Sequence, residues 1–152
     1  MLCFVDTNII VYALEKPDPD DPAQTIKREI AIDLIDRLTL ARQIVISTQV
    51  IGEFFNTVIR KGKPPLTMDE AAASVAFLSV FPVVGTDLDL VQAAVTRCKL
   101  SRIAYYDSLM IEAALRAGAS ILYSEDMHSG TRYGSLELRN PFPQSLKKKS
   151  KP

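Results

Sequence analysis

Residues 1–14 read MLCFVDTNIIVYAL: an apolar run from Leu2 to Val5, an acid at Asp6, then a second apolar series. A short unbroken apolar run suits a strand buried on both faces. From Thr7 onward, Ile9, Ile10, Tyr12, Ala13 and Leu14 recur at helical spacing. A carboxylate at the seam between two buried elements is costly unless something there needs it. In an open parallel sheet the carboxyl ends of the strands face a crevice where functional groups gather, and Asp6 stands at such an end.

The alternation of strand and helix continues outward from this start. The stretch EKPDPDDP, residues 15–22, is rich in proline and aspartate, which disfavour continued helix, and it is expected as an exposed, mobile loop. Ile26, Ile30, Leu34, Ile35 and Leu38 mark an amphipathic helix, and Gln43 to Ser47 is again a β-branched run. Ser47 or Thr48 caps the next helix, whose inner face is Val50, Phe54 and Val58 and which ends near KGKPP at 61–65. Thr67-Met-Asp-Glu70 is a capping box, Thr86-Asp-Leu-Asp89 resembles one, and FPVVG between them predicts a third strand. AYYDSLMIEAALRAG, residues 104–118, predicts a helix stopped by Gly118 in the left-handed conformation. ASILYS supplies a fourth strand and LEL, before Asn140-Pro141, a fifth. The expected fold is a three-layer α/β/α domain with a central, mostly parallel sheet of four to five strands. It spans residues 1–143 and is followed by a basic, flexible tail at 144–152.

At 152 residues, nearly half of them apolar, the chain suits one domain with one core. Its 18 Lys and Arg balance 18 Asp and Glu, so no global basic field points to nucleic acid or membrane. Four of those cations lie in the tail LKKKSKP, which leaves the body mildly acidic. Cys3 and Cys98 have no metal-motif neighbours and read as reduced thiols, and with no secretion signal the expected location is the cytoplasm. No apolar run approaches the ~20 residues of a membrane span.

Three further acids share the setting of Asp6. Asp126 lies just beyond ILYS, Glu53 lies inside the helix after the second strand, and Asp107 occupies the first turn of the helix before the fourth strand. Gathering such groups is costly, because two unit charges about 4 Å apart repel by roughly 4 kcal/mol at an effective dielectric near 20. A divalent cation neutralises them and uses their oxygens as ligands, and an all-oxygen set points to Mg²⁺ or Mn²⁺ rather than zinc. Such an ion activates water and offsets charge on a phosphate.

The pattern Asp6-Thr7-Asn8 after a first strand, then Glu53, then Tyr106-Asp107, then Ser124-Glu125-Asp126, resembles the PIN-domain ribonucleases over residues 1 to about 143. In size and layout it is similar to the single-domain prokaryotic members, including VapC-type toxins of toxin–antitoxin pairs. The resemblance implies a metal-dependent nuclease acting on RNA, with Asp6, Glu53, Asp107 and Asp126 as its acidic quartet. Asp6 and Asp107 map to direct metal ligands. Asp126 and Glu53 complete the cluster directly or through waters, Ser124 steadies it, and Thr7 and Asn8 orient Asp6 or a water. It also implies a cognate antitoxin and a homodimer.

The rival reading is a catalytically inactive PIN-like module that binds nucleic acid or protein. A dehalogenase-like phosphatase is set aside because the acid it needs two positions after Asp6 is Asn8. A dinucleotide-binding domain is set aside because DTNII has no glycine. RNA contact would fall to scattered groups such as Arg60, Lys61, Lys63, Arg102 and Arg132 or to the tail. His128 reads as a surface-loop residue, Glu125 as pointing away from Asp126, and Phe54, Phe55, Tyr105 and Tyr106 as core.

Overall fold

In the computed structural model the described residues are 1–146. Of the predicted tail, Gln144–Leu146 forms one 3₁₀ turn, and residues 147–152 lie outside the described residues. The strands are β1 (Leu2–Val5), β2 (Ile44–Ser47), β3 (Val83–Val84), β4 (Ala119–Tyr123), β5 (Arg132–Tyr133) and β6 (Leu136–Arg139). The helices are α1 (Thr7–Leu14), α2 (Pro22–Leu40), α3 (Thr48–Val58), α4 (Met68–Leu78), α5 (Leu88–Ser101) and α6 (Tyr105–Arg116).

The strands form one sheet in the order β3-β2-β1-β4-β6-β5, parallel except for the β5–β6 pair. One strand more than expected is present. It is β5, two residues long and turned back onto β6 through Gly134 at φ 59°, and so short a strand has no periodicity to read. Cys3 to Val5 and Ile44 to Ser47 are buried without alternation. Because successive side chains point to opposite faces, both faces of the sheet are covered, which makes three layers. Helices α1 to α4 pack among themselves, and α5 packs on α6.

Local chemistry sets most boundaries. Ser47 caps α3 by accepting from the Val50 N–H at 3.3 Å, and Thr67 caps α4 by accepting from Glu70 N–H at 3.1 Å. The cap of α5 is Asp87, which accepts from Leu90 N–H at 2.8 Å, while the Thr86 hydroxyl pairs instead with Thr48. Gly118 takes φ 73° after α6, as the sequence requires. The 15–22 loop is tied down rather than loose. Buried Gln24 donates to Glu15 and to the Lys16 carbonyl and accepts from the Asp18 N–H, and Lys16 pairs with Glu70.

Helix α2 departs from its expected face. Its buried positions are Gln24, Lys27, Ala31, Leu34, Ile35 and Leu38, whereas Ile26 is exposed. Its first turns therefore bury polar groups, and only its second half follows the apolar stripe.

The feature that positions the site is the adjacency of β1 and β4. The Asp6 N–H donates to the Tyr123 carbonyl at 3.0 Å, which carries the pairing one step past the strand ends. Asp6 and Ser124, the first residues beyond the two strands, are thereby held side by side. No described helix is long and apolar enough to cross a membrane.

Candidate active site

Asp6 is the N-cap of α1, yet it does more than cap. One carboxylate oxygen accepts from the Thr7 N–H at 2.5 Å, and the other accepts from the Ser124 hydroxyl at 2.6 Å across the β1–β4 seam. The next residues of α1 reach the other acids. The Thr7 hydroxyl donates to Glu53 Oε2 at 2.8 Å, and Asn8 Nδ2 donates to Asp126 Oδ2 at 2.9 Å. Thr7, Asn8 and Ser124, the three supporting residues read from the sequence, thus each contact at least one of the predicted acids, and Thr7 contacts two. The second oxygen of Glu53 accepts from Gln49 Nε2 at 2.8 Å, and Gln49 Nε2 also reaches the Tyr106 carbonyl at 3.2 Å. That amide joins α3 to the first turn of α6, where Asp107 sits.

All four predicted acids line one cleft of about 850 Å³. Asp6 forms its floor and is only 7% exposed, whereas Asp107 and Asp126 are exposed and Glu53 is intermediate. Among the described residues, Asp107 has no hydrogen-bond or ion-pair partner, and no Lys or Arg pairs with any of the four. Burial pushes the Asp6 carboxyl up to about 7, opposed by the Ser124 and Thr7 hydrogen bonds and reinforced by the Asp126 and Glu53 charges. Asp107 is raised as well, by partial burial and by the same two neighbours. Asp126 and Glu53 thus act on both Asp6 and Asp107.

A divalent cation suits the chemistry of this set, since the donors are hard oxygens with no fixed counter-charge. The acids ring the cleft rather than forming a tight cage. Among the described residues no group of three or more His, Cys, Asp or Glu is drawn together closely enough to hold a metal. A divalent ion that keeps several of its waters needs only one or two of these carboxylates directly. One buried acceptor, Gln49 Oε1, has no hydrogen-bond partner among the described residues.

The family model for the PIN domain matches residues 3–128. The chain belongs to the PIN-domain family. No curated protein gives a significant sequence match. Among solved structures, this PIN domain is similar to a toxin–antitoxin complex from Klebsiella pneumoniae, at TM-score 0.67 and 13% identity, covering 92% of this chain and 98% of that one. It is similar to VapBC2 from Rickettsia felis bound to a promoter DNA fragment, at TM-score 0.62 and 20% identity, with 92% and 98% covered. It is also similar to Mycobacterium tuberculosis VapC20, a Sarcin-Ricin loop cleaving toxin, at TM-score 0.58 and 20% identity, with 82% and 89% covered.

Several residues around the cleft of this PIN domain were not legible beforehand. Gln49 carries no motif, and its role depends on α6 arriving alongside. Tyr106, expected in the core, is 64% exposed and lines the cleft beside Asp107, edge-on to Tyr105. Of the five scattered cations, only Lys61 and Lys63 line the cleft. Arg60 donates to the Asn56 carbonyl, Arg132 pairs with Glu137, and Arg102 is the left-handed C-cap of α5. His128 is exposed and outside the lining, as expected of a loop residue. Glu125 pairs with Lys27, a partner nothing in the sequence suggested, and lines the same cleft as Asp126.

Proposed function

We propose that this PIN domain is a Mg²⁺- or Mn²⁺-dependent ribonuclease that hydrolyses RNA phosphodiester bonds, and that it is the toxin of a toxin–antitoxin pair. The observation that carries the reading is the convergence of Asp6, Glu53, Asp107 and Asp126 on one cleft from four separate segments. Asp6, Asp107 and Asp126 are the side chains through which the metal is held, directly or through waters, and Glu53 completes the set. A divalent cation bound there supplies activation of water and charge offset at the phosphate. Ser124 and Thr7 fix the direction of the Asp6 carboxylate, Thr7 and Gln49 hold both oxygens of Glu53, and Asn8 orients Asp126.

RNA is the substrate this cleft suits. Lys61 and Lys63 stand on its wall without an ion-pair partner among the described residues and are placed to meet phosphates. The exposed Tyr106 ring offers a face on which an unpaired base stacks. The toxin reading, with an antitoxin partner and a homodimer in the cytoplasm, rests on the family resemblance and on the toxin–antitoxin complexes among the similar structures.

The test is cleavage of single-stranded RNA and transfer RNA in Mg²⁺, with and without EDTA, beside Asp6→Asn. Cleavage that EDTA stops and Asp6→Asn loses is expected. Equal cleavage by the parent and Asp6→Asn removes these acids from the mechanism.

A further inference from the structure

Among the described residues the fold buries two charged side chains, Asp6 and Lys27, and both line the same cleft. Asp6 has its explanation in the site. Lys27 does not, because it lies on α2 with nothing charged buried beside it on that helix. A buried ammonium persists only where it is paired and hydrogen-bonded. Lys27 is 3% exposed, and its Nζ bonds Glu125, lies 3.4 Å from the Tyr12 hydroxyl, and stands over the Tyr12 and Phe142 rings at 5.2 and 5.6 Å. Those two rings meet edge to face at 5.2 Å. Helix α1, helix α2, the turn after β4 and the segment after β6 therefore converge on one cation.

The partner's place in the chain gives this cluster its meaning. Ser124, Glu125 and Asp126 are consecutive, and each is tethered to a different element. Ser124 donates to Asp6 at the end of β1, Glu125 accepts from Lys27 on α2, and Asp126 accepts from Asn8 on α1. The Glu125 N–H also donates to Asn8 Oδ1 at 3.5 Å, and the Met127 N–H donates to the Ser124 hydroxyl at 3.4 Å. Asn8 holds the turn from α1, through the Asp126 carboxylate and the Glu125 N–H. The Glu125 tether adds a restraint from a second helix, through the side chain next to Asp126.

We propose that Lys27 is a positioning residue for the cleft: by clamping Glu125 it fixes the turn 124–126 and with it the direction in which the Asp126 carboxylate is presented. The proposal extends the reading of Asp126 as a site acid and rests on it only for its catalytic consequence. Stability alone is a poor reason for the pair, since a buried ion pair replaced by apolar residues of similar volume commonly costs little or nothing. A clamp makes a different demand, because an apolar pair fills the space without imposing the same direction on the turn.

The experiment compares the parent with Lys27→Met, with the apolar pair Lys27→Met/Glu125→Leu, and with Asp126→Asn, each below its melting temperature. Amide hydrogen exchange of residues 124–127 is measured in metal-free protein, and Mn²⁺ affinity by calorimetry. Exchange at 124–127 is expected to rise about tenfold in Lys27→Met, with β1 and β4 unchanged, and Mn²⁺ binding to weaken about tenfold. The apolar pair is expected to recover the melting temperature without recovering either of these, which a merely structural role would not produce. Unchanged exchange at 124–127 in folded Lys27→Met overturns the clamp. Faster exchange with parental Mn²⁺ affinity overturns the positioning claim when Asp126→Asn loses that affinity. If Asp126→Asn leaves affinity intact as well, the metal reading of Asp126 fails while faster exchange still supports the clamp.

Discussion

The floor and the lip of the cleft carry acids of the same kind in opposite states. On the floor, Asp6 is buried and both of its oxygens are engaged, and Ser124, Glu125 and Asp126 beside it are each tethered. On the lip, Asp107 is exposed without a hydrogen-bond partner among the described residues, next to an exposed Tyr106 ring. Burial is the leading cause of the raised carboxyl in both, reinforced by Asp126 and Glu53. The difference teaches that the floor is assembled by folding, against an electrostatic cost, whereas the fold leaves the Asp107 carboxylate on the lip unheld by any described side chain.

Substituting the two acids is the sharpest way to break this comparison. Asp6→Asn and Asp107→Asn are each expected to lower cleavage by at least about 100-fold, more than loss of an outer partner of a metal ligand typically costs. They should part company in stability. Without metal at pH 8, Asp6→Asn is expected to stabilise by roughly 2–4 kcal/mol, because a neutral side chain replaces a buried charge. Asp107→Asn is expected to stay within about 0.5 kcal/mol. Thermal melts in EDTA read both values, and equal melting shifts would erase the distinction.

The pH dependence isolates the floor alone. The folded carboxyl of Asp6 lies at about 7, above the ordinary 3.8 of a free aspartate, so between those values the folded state binds more protons than the unfolded one. Its contribution to stability is therefore present at low pH and lost as pH rises through that window, by on the order of a few kcal/mol for the metal-free protein. Melting temperatures from pH 4 to 8 in EDTA should fall more steeply for the parent than for Asp6→Asn. Added Mg²⁺ should recover most of the loss at pH 8. Parallel slopes for the two proteins would show that Asp6 is not held neutral by the fold.

The smallest effects belong to the Tyr106 ring and the wall lysines. Tyr106→Ala is expected to weaken single-stranded RNA binding by about 1–3 kcal/mol, with Tyr106→Trp close to the parent. Lys61→Ala with Lys63→Ala is expected to shallow the salt dependence of binding by roughly one to two counterions. Filter binding in EDTA across a salt series measures both, with melting temperatures unchanged.

Much of the arrangement was legible because it follows local rules. The apolar runs at Leu2 to Val5 and Ile44 to Ser47 announced buried strands, Gly118 announced a helix stop, and Asp6 announced the strand end at which the acids meet. What escaped depends on contact. On α2 the stripe through Ile26 and Ile30 competes with one through Lys27 and Ala31, and spacing cannot choose between them. A lysine looks like a surface residue until Glu125, 98 positions away, is brought against it. Tyr106 reads as core because aromatics usually are, yet it sits on the side of α6 that faces the opening.

The sequence by itself determined the order of strands and helices and which acids stand at their ends, because hydrophobic periodicity, caps and stops act over a few residues. Only the tertiary structure decided which of these groups meet. Placing β1 beside β4 joins Asp6 to Ser124, and packing α2 against the turn after β4 converts Lys27 from an apparent surface charge into a buried one. Burial and pairing depend on partners distant in the chain, and no local pattern records them.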